Sequence, residues 1–117
     1  MSIRGVQMAT AQELGVALRT SADVGELMGA AYDLHGLLLT EADLSPDFFD
    51  LRSGLAGQAF QTFANHQLPV ALVIPDFSAY GARFAELAHE HVRHRQIRFV
   101  HTVEEGWAWL RAQAQER

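Results

Sequence analysis

The chain contains no cysteine and no lysine among its 117 residues. Without cysteine there is no disulfide, no thiolate chemistry and no zinc site built on sulfur. Without lysine there is neither a Schiff base nor a Walker-type phosphate loop, since both need that amine. All nine basic residues are arginine, a bias expected of a GC-rich genome. Basic charge is itself scarce, with fourteen acidic residues giving a formal net charge of -5. A nucleic-acid surface needs a basic face to neutralise phosphates, so no nucleic-acid partner is expected. Long apolar runs are also missing. The longest, Leu68 to Pro75, falls far short of the roughly 20 residues needed to cross a bilayer. No basic segment followed by an apolar core opens the chain as in a signal peptide. A cytoplasmic protein without membrane contact is therefore expected.

What is present is an ordinary globular composition, 49% hydrophobic, with enough length for one core. No repeat, linker or low-complexity stretch divides it, so a single α/β domain over residues 1–117 is expected. Ile3 to Met8 alternates weakly, as an edge strand would, and Leu14 to Leu18 reads as a second strand after a polar turn. Thr20 offers an N-cap answered by Asp23, and Val24, Leu27, Met28 and Ala31 then share one helical face. Gly25 and Gly29 inside that helix imply close packing against a neighbour. Leu37 to Leu39 is a buried strand, covered on both faces. Ser45-Pro46 starts a one-turn helix. Ser53 caps the next helix, whose stripe is Leu55, Ala56, Ala59, Phe60 and Phe63. Val70 to Ile74 is a strand closed by Pro75. Ser78 is expected to cap a helix with Phe84, Leu87, Ala88 and Val92 inward, Ile97 to Val100 is the last strand, and Thr102 caps a final helix. The order β-β-α-β-α-β-α-β-α predicts a mostly parallel five-stranded sheet with helices, the first strand antiparallel at an edge.

The run Phe48-Phe49-Asp50-Leu51-Arg52-Ser53-Gly54-Leu55-Ala56-Gly57 resembles the hallmark of an uncharacterised bacterial family, domain of unknown function 4180. The resemblance continues through Val70 to Ser78 and the closing Glu104-Glu105-Gly106-Trp107-Ala108-Trp109-Leu110. Pro75 departs from the glycine that members show before Asp-Phe-Ser. This resemblance implies a compact α/β domain and assigns no activity. The element order, with Asp50-Leu51-Arg52-Ser53-Gly54-Leu55 opening a helix after a buried strand, is also similar to sulfate-transporter and anti-sigma-factor-antagonist (STAS) domains. Those carry Asp-Ser-Ser-Gly-Leu at this place, and in the antagonists a serine there is phosphorylated to switch partner binding. That likeness implies a STAS-like fold and marks Ser53 as a candidate phosphorylation site, although Leu51-Arg52 sets it one residue further from Asp50 than the pattern has.

Two loops leave the carboxyl ends of presumed neighbouring parallel strands, Thr40 to Ser53 and Pro75 to Tyr80. Open α/β sheets bind ligands at that edge. The candidate binding residues are Asp50, Arg52, Ser53, Asp76 and Ser78; the plainer alternative makes the serines caps and the aspartates turn residues. No histidine neighbours Asp50 or Asp76 in sequence to build a triad, and no catalytic residue, metal or cofactor is assigned. The run His89-Glu90-His91-Val92-Arg93-His94-Arg95 misses the zinc-protease pattern, since Arg93 stands where a second histidine would have to be. Glu90 and His94, four apart, make only two helical ligands, and cations at a helix C-terminus are the simpler reading. Trp107 and Trp109 point about 200° apart on a helix, so one is expected at the surface as a candidate dimer or partner interface. The functional expectation is a non-enzymatic regulatory or binding module that takes a protein partner or a small anionic ligand at the strand edge. The alternative is an enzyme acting there on a small phosphorylated or carboxylated substrate.

Overall fold

A computed structural model describes residues 7–91 and 94–115. Its elements are β1 (Met8–Thr10), α1 (Ala11–Leu14), α2 (Ser21–Ala30), β2 (Gly36–Thr40), α3 (Pro46–Phe49), α4 (Leu55–Asn65), β3 (Val70–Val73), α5 (Ala82–Glu90), β4 (Ile97–Val100) and α6 (Val103–Gln115). Three short 3₁₀ turns, Glu41–Asp43, Leu51–Ser53 and Phe77–Tyr80, lie in the connections.

The sheet has the order β1-β2-β3-β4 and every neighbouring pair is parallel. Leu37 pairs with Val70, and Val70 with Ile97. Successive side chains of a strand point to opposite faces. Leu37, Leu39, Val70, Leu72, Ile97 and Phe99 accordingly join one core with residues of α2, α4 and α5. Leu38, Ala71, Val73 and Val100 join another beneath Trp109 and Leu110 of α6. Crossovers of one hand between adjacent strands, always stepping the same way, put their helices on the same face. That leaves the opposite face to α6. Both faces are thus covered, which is why the strands read as unbroken apolar runs.

The packing of α6 is close at Gly106. A Cβ built there would lie 2.9 Å from Leu38 Cδ1 and 3.5 Å from both Ala71 Cβ and Val100 Cγ2. The helix start is held by reciprocal bonds: Glu105 N–H donates to Thr102 Oγ1 at 3.1 Å, and Thr102 N–H to Glu105 Oε1 at 3.0 Å.

Several expectations are corrected. The sheet has four strands rather than five, because Leu14 to Leu18 is not a strand. Thr10 and Glu13 form a capping box that starts α1, with Thr10 N–H donating to Glu13 Oε1 at 2.8 Å and Glu13 N–H to Thr10 Oγ1 at 3.0 Å. Gly15 ends α1 at φ 74°, a left-handed conformation that glycine adopts without strain. Leu18 makes only an isolated parallel bridge to Leu44. The strand expected at Ile3 to Met8 lies outside the described residues except for Gln7, which is not in a strand, and Met8, which opens β1. That first strand is parallel to β2, not antiparallel, because a helical excursion rather than a tight turn joins them. Gly25 and Gly29 have nothing within 4 Å of an added Cβ, so they are exposed helix positions and not packing contacts. Ser78 lies inside the Phe77–Tyr80 turn, and the residue that precedes α5 is Gly81. Phe84 and Ala88 of α5 are buried as expected and Leu87 is half-buried; Val92 falls outside the described residues.

Candidate functional site

The register of β2 against β3 sends both of their following loops out at the same edge of the sheet. After β2, Thr40 N–H donates to Asp43 Oδ2 at 2.9 Å and so begins the Glu41–Asp43 turn. The chain leading into α2 straps this loop down: Leu18 N–H donates to Asp43 O at 2.8 Å, and Ser45 Oγ to Arg19 O at 3.0 Å. Pro46 then opens α3, where a missing N–H costs nothing. A one-turn helix cannot bury two consecutive aromatic residues alike. Phe48 is fully buried, with its ring edge-on to Phe60 and Phe84. Phe49 is half-buried and turns the other way.

The loop after β3 is built on Asp76. Its carboxylate accepts from Ser78 N–H at 3.0 Å and Ser78 Oγ at 2.6 Å, which starts the Phe77–Tyr80 turn. Those bonds, first from the Ser78 hydroxyl and then from its N–H, hold the Asp76 carboxyl below its ordinary range, and the charge of His101 adds to them. Tyr80 then reaches back across the gap. Its ring lies flat on Phe49, with centroids 3.7 Å apart and planes 6° apart. Its hydroxyl donates to Glu41 Oε2. That bond, followed by partial burial and the nearby carboxylate charge, pushes the Tyr80 phenol up to about 12.

Between the two loops lies a cleft of about 830 Å³. Leu44, Pro46, Phe49, Leu51, Tyr80 and Phe84 supply an apolar lining, with Glu41, Asp50, Arg52 and Arg83 around it. Asp50 and Arg52 form an exposed ion pair: Arg52 Nε donates to Asp50 Oδ1 at 3.1 Å and Nη2 to Oδ2 at 3.3 Å. The side-chain bonds from Arg52, then its backbone N–H, hold the Asp50 carboxyl below its ordinary range, and Asp50 in turn raises Arg52.

Of the five residues expected at this edge, Asp50 and Arg52 line the cleft, whereas Ser53, Asp76 and Ser78 are not among its lining residues. Ser53 is exposed and does not cap α4 as expected, since Gly54 takes the N-cap position; the Ser53 hydroxyl donates to Asp47 O and accepts from Leu55 N–H at 3.2 Å, bracing the start of the helix from one residue before the cap. Asp76 and Ser78 shape the turn that presents Tyr80. Sequence reasoning missed Glu41, Phe49, Tyr80 and Arg83. The Phe48-Phe49 pair carried a usable signal, since two adjacent rings on one turn must face different ways. Nothing local links Tyr80 to Glu41.

A family model described as "Domain of unknown function (DUF4180)" matches residues 3–110. The chain belongs to that family. No curated protein and no solved structure matches it. Across the described residues no helix is long and apolar enough to cross a membrane. Nor do the described residues contain three or more histidine, aspartate or glutamate side chains placed to hold one metal ion. Glu90 ends α5 and His94 lies beyond it, so the two are not one turn apart on a helix. Near the end of the chain Trp109 of α6 is buried against the sheet, with the Arg98 guanidinium 5.1 Å from its ring centroid, while Trp107 is half-buried. Trp107 is therefore the more exposed of the two tryptophans.

Proposed function

We propose that this chain is a non-catalytic binding module whose cleft, between the loops after β2 and β3, takes a small ligand with an apolar or planar body and an anionic group. The single observation behind this reading is the cleft itself. At about 830 Å³ it is within the usual span of small-molecule sites, which are concave, mainly apolar and edged by a few polar groups. The stacked pair of Phe49 and Tyr80 lines the cleft beside the body of the ligand. Arg83, on the first turn of α5, lines the cleft and forms no ion pair or hydrogen bond with a described residue, so it is free to meet an anion. Binding is favoured over catalysis by the proton affinities of the lining. Asp50 is held ionised, Tyr80 is held protonated up to about 12, and no histidine lines the cleft. A general acid or base works best with a proton affinity near the working pH.

The similarity of Asp50 to Leu55 to the antagonist domains adds a regulatory character, with exposed Ser53 as the residue a kinase would modify. A second reading has its own support. A smaller groove of about 450 Å³ shares Leu51 and Arg83 with the cleft and continues past Glu86, Leu87 and Glu90 of α5. A partner's peptide segment would use both together.

Native mass spectrometry of protein purified from its own host tests the proposal. A bound small mass is expected, and Arg83→Glu and Phe49→Ala should each strip it. If the host-purified protein carries no adduct, or if both variants retain it in full, the cleft is not the ligand site.

A further inference from the structure

Among the described residues, the strand β4 closes the sheet on one side and has β3 as its sole neighbour. The outward N–H groups of such an edge strand need another acceptor or water. Here two are taken by the turn that precedes the strand. Ile97 N–H donates to His94 Nδ1 at 3.1 Å, and Phe99 N–H donates to His91 O at 3.3 Å. The same His94 Nδ1 accepts from Gln96 N–H at 3.1 Å. The Gln96 side chain meanwhile donates to Phe63 O at 2.6 Å and Leu68 O at 3.3 Å, tying the start of β4 to the end of α4 and its link to β3. One ring nitrogen therefore holds two backbone donors at the point where the edge strand begins.

An imidazole nitrogen accepts only while it carries no proton, so neutral His94 has its hydrogen on Nε2. His91, from the end of α5, stacks against it with ring centroids 5.0 Å apart. His91 Nδ1 lies 2.8 Å from Leu87 O, so that nitrogen carries the proton. From β4, Arg98 donates through Nη2 to His94 O at 3.4 Å. From α4, Phe60 brings an uncharged ring against His91, with centroids 5.2 Å apart. Among the described residues no carboxylate forms an ion pair with His94. Every charged or chargeable group shown against it, His91 and Arg98, thus opposes a second positive charge. Burial first, then those two groups, hold His94 below the ordinary histidine value.

We infer that His94 and the start of β4 form an acid-sensitive catch, which lets go of the outer edge of the sheet when His94 takes a proton on Nδ1. The proton comes from solvent and no other bond changes. The nitrogen becomes a donor facing two donors, the ring must swing away, and Gln96 and Ile97 N–H are left to water. The sign follows from the neutral ring being preferred in the folded chain. The unfolded chain takes up the proton first, so the stabilisation is complete above the ordinary histidine value of 6.5 and is lost as pH falls below it through the folded value.

Nitrogen-15 NMR on the intact chain tests this. Near neutral pH the His94 ring should show the Nε2–H tautomer. On acidification from neutral pH through the folded value of His94, exchange of the Gln96 and Ile97 amides, corrected for intrinsic rates, should quicken roughly tenfold, the loss of about one hydrogen bond. Leu38, in the middle of the sheet, should show no comparable change. In His94→Asn the side-chain oxygen accepts at any pH, so the acid response should disappear. An Nδ1–H tautomer, or Gln96 and Ile97 exchange that tracks Leu38 throughout, would overturn the inference from the wild-type data alone, even if the variant failed to fold.

Discussion

The Tyr80 hydroxyl donates to Glu41 Oε2, joining residues 39 positions apart in the sequence and closing one side of the cleft. Because the bond favours the neutral phenol, its stabilisation is present below the ordinary tyrosine value of 10.0 and fades as pH rises through about 12. Alkaline difference spectroscopy should therefore resolve a phenol titrating near 12, absent in Tyr80→Phe. Glu41→Gln should move that titration back toward 10.0. If the high titration survives Glu41→Gln, the carboxylate is not its cause.

Phe48 and Phe49 are adjacent in sequence but unequal in weight. Phe48→Ala removes a fully buried ring that meets Phe49, Phe60 and Phe84, and should cost about 3–5 kcal/mol. Phe49→Ala unstacks a half-buried ring from Tyr80 and should cost roughly 1–2 kcal/mol. Denaturant unfolding of the two variants measures the ranking, and the reverse order would contradict the orientation of α3.

The glycines separate in the same way. Gly25→Ala and Gly29→Ala meet empty space on an exposed helical face, so each should stabilise the chain by about 1 kcal/mol through helix propensity. Gly106→Val drives a branched side chain into Leu38, Ala71 and Val100, and should destabilise by roughly 1–3 kcal/mol. Thermal melts of the three variants would show two rises and one fall. A rise for Gly106→Val would mean that α6 does not lie this close to the sheet.

Glu105 accepts from His101 N–H at 2.9 Å and Thr102 N–H at 3.0 Å. These bonds, His101 first, hold its carboxyl below the ordinary 4.5. The stabilisation is therefore present above the unfolded value and is lost as pH falls through the lower folded one. Glu105→Ala should lower the melting temperature by a few degrees near neutral pH. The difference from wild type should shrink as pH drops below 4.5. A gap that stays constant with pH would assign the effect to packing instead.

Much of the architecture was written locally. The apolar run Leu37 to Leu39 announced a strand covered on both faces, Val70 to Ile74 a strand closed by Pro75, and Thr102 the start of α6. The same signals misled where two competed. Leu14 to Leu18 looked extended, but the Thr10 and Glu13 box starts a helix that takes up Leu14 and ends at Gly15. Gly25 and Gly29 suggested a close neighbour that is not there, while Gly106, which went unremarked as a contact, has one.

By itself the sequence determined composition, charge, the starts of α2, α3 and α6 and three of the four strands, because caps and apolar periods act over a few residues. It also marked the edge where Asp50 and Arg52 sit. Only the tertiary structure decided the strand order, the parallel sense of β1, the seating of α6 and the cleft. Those depend on contacts such as Tyr80 with Glu41 and Gly106 with Leu38, between residues too far apart in the chain for any local pattern to record.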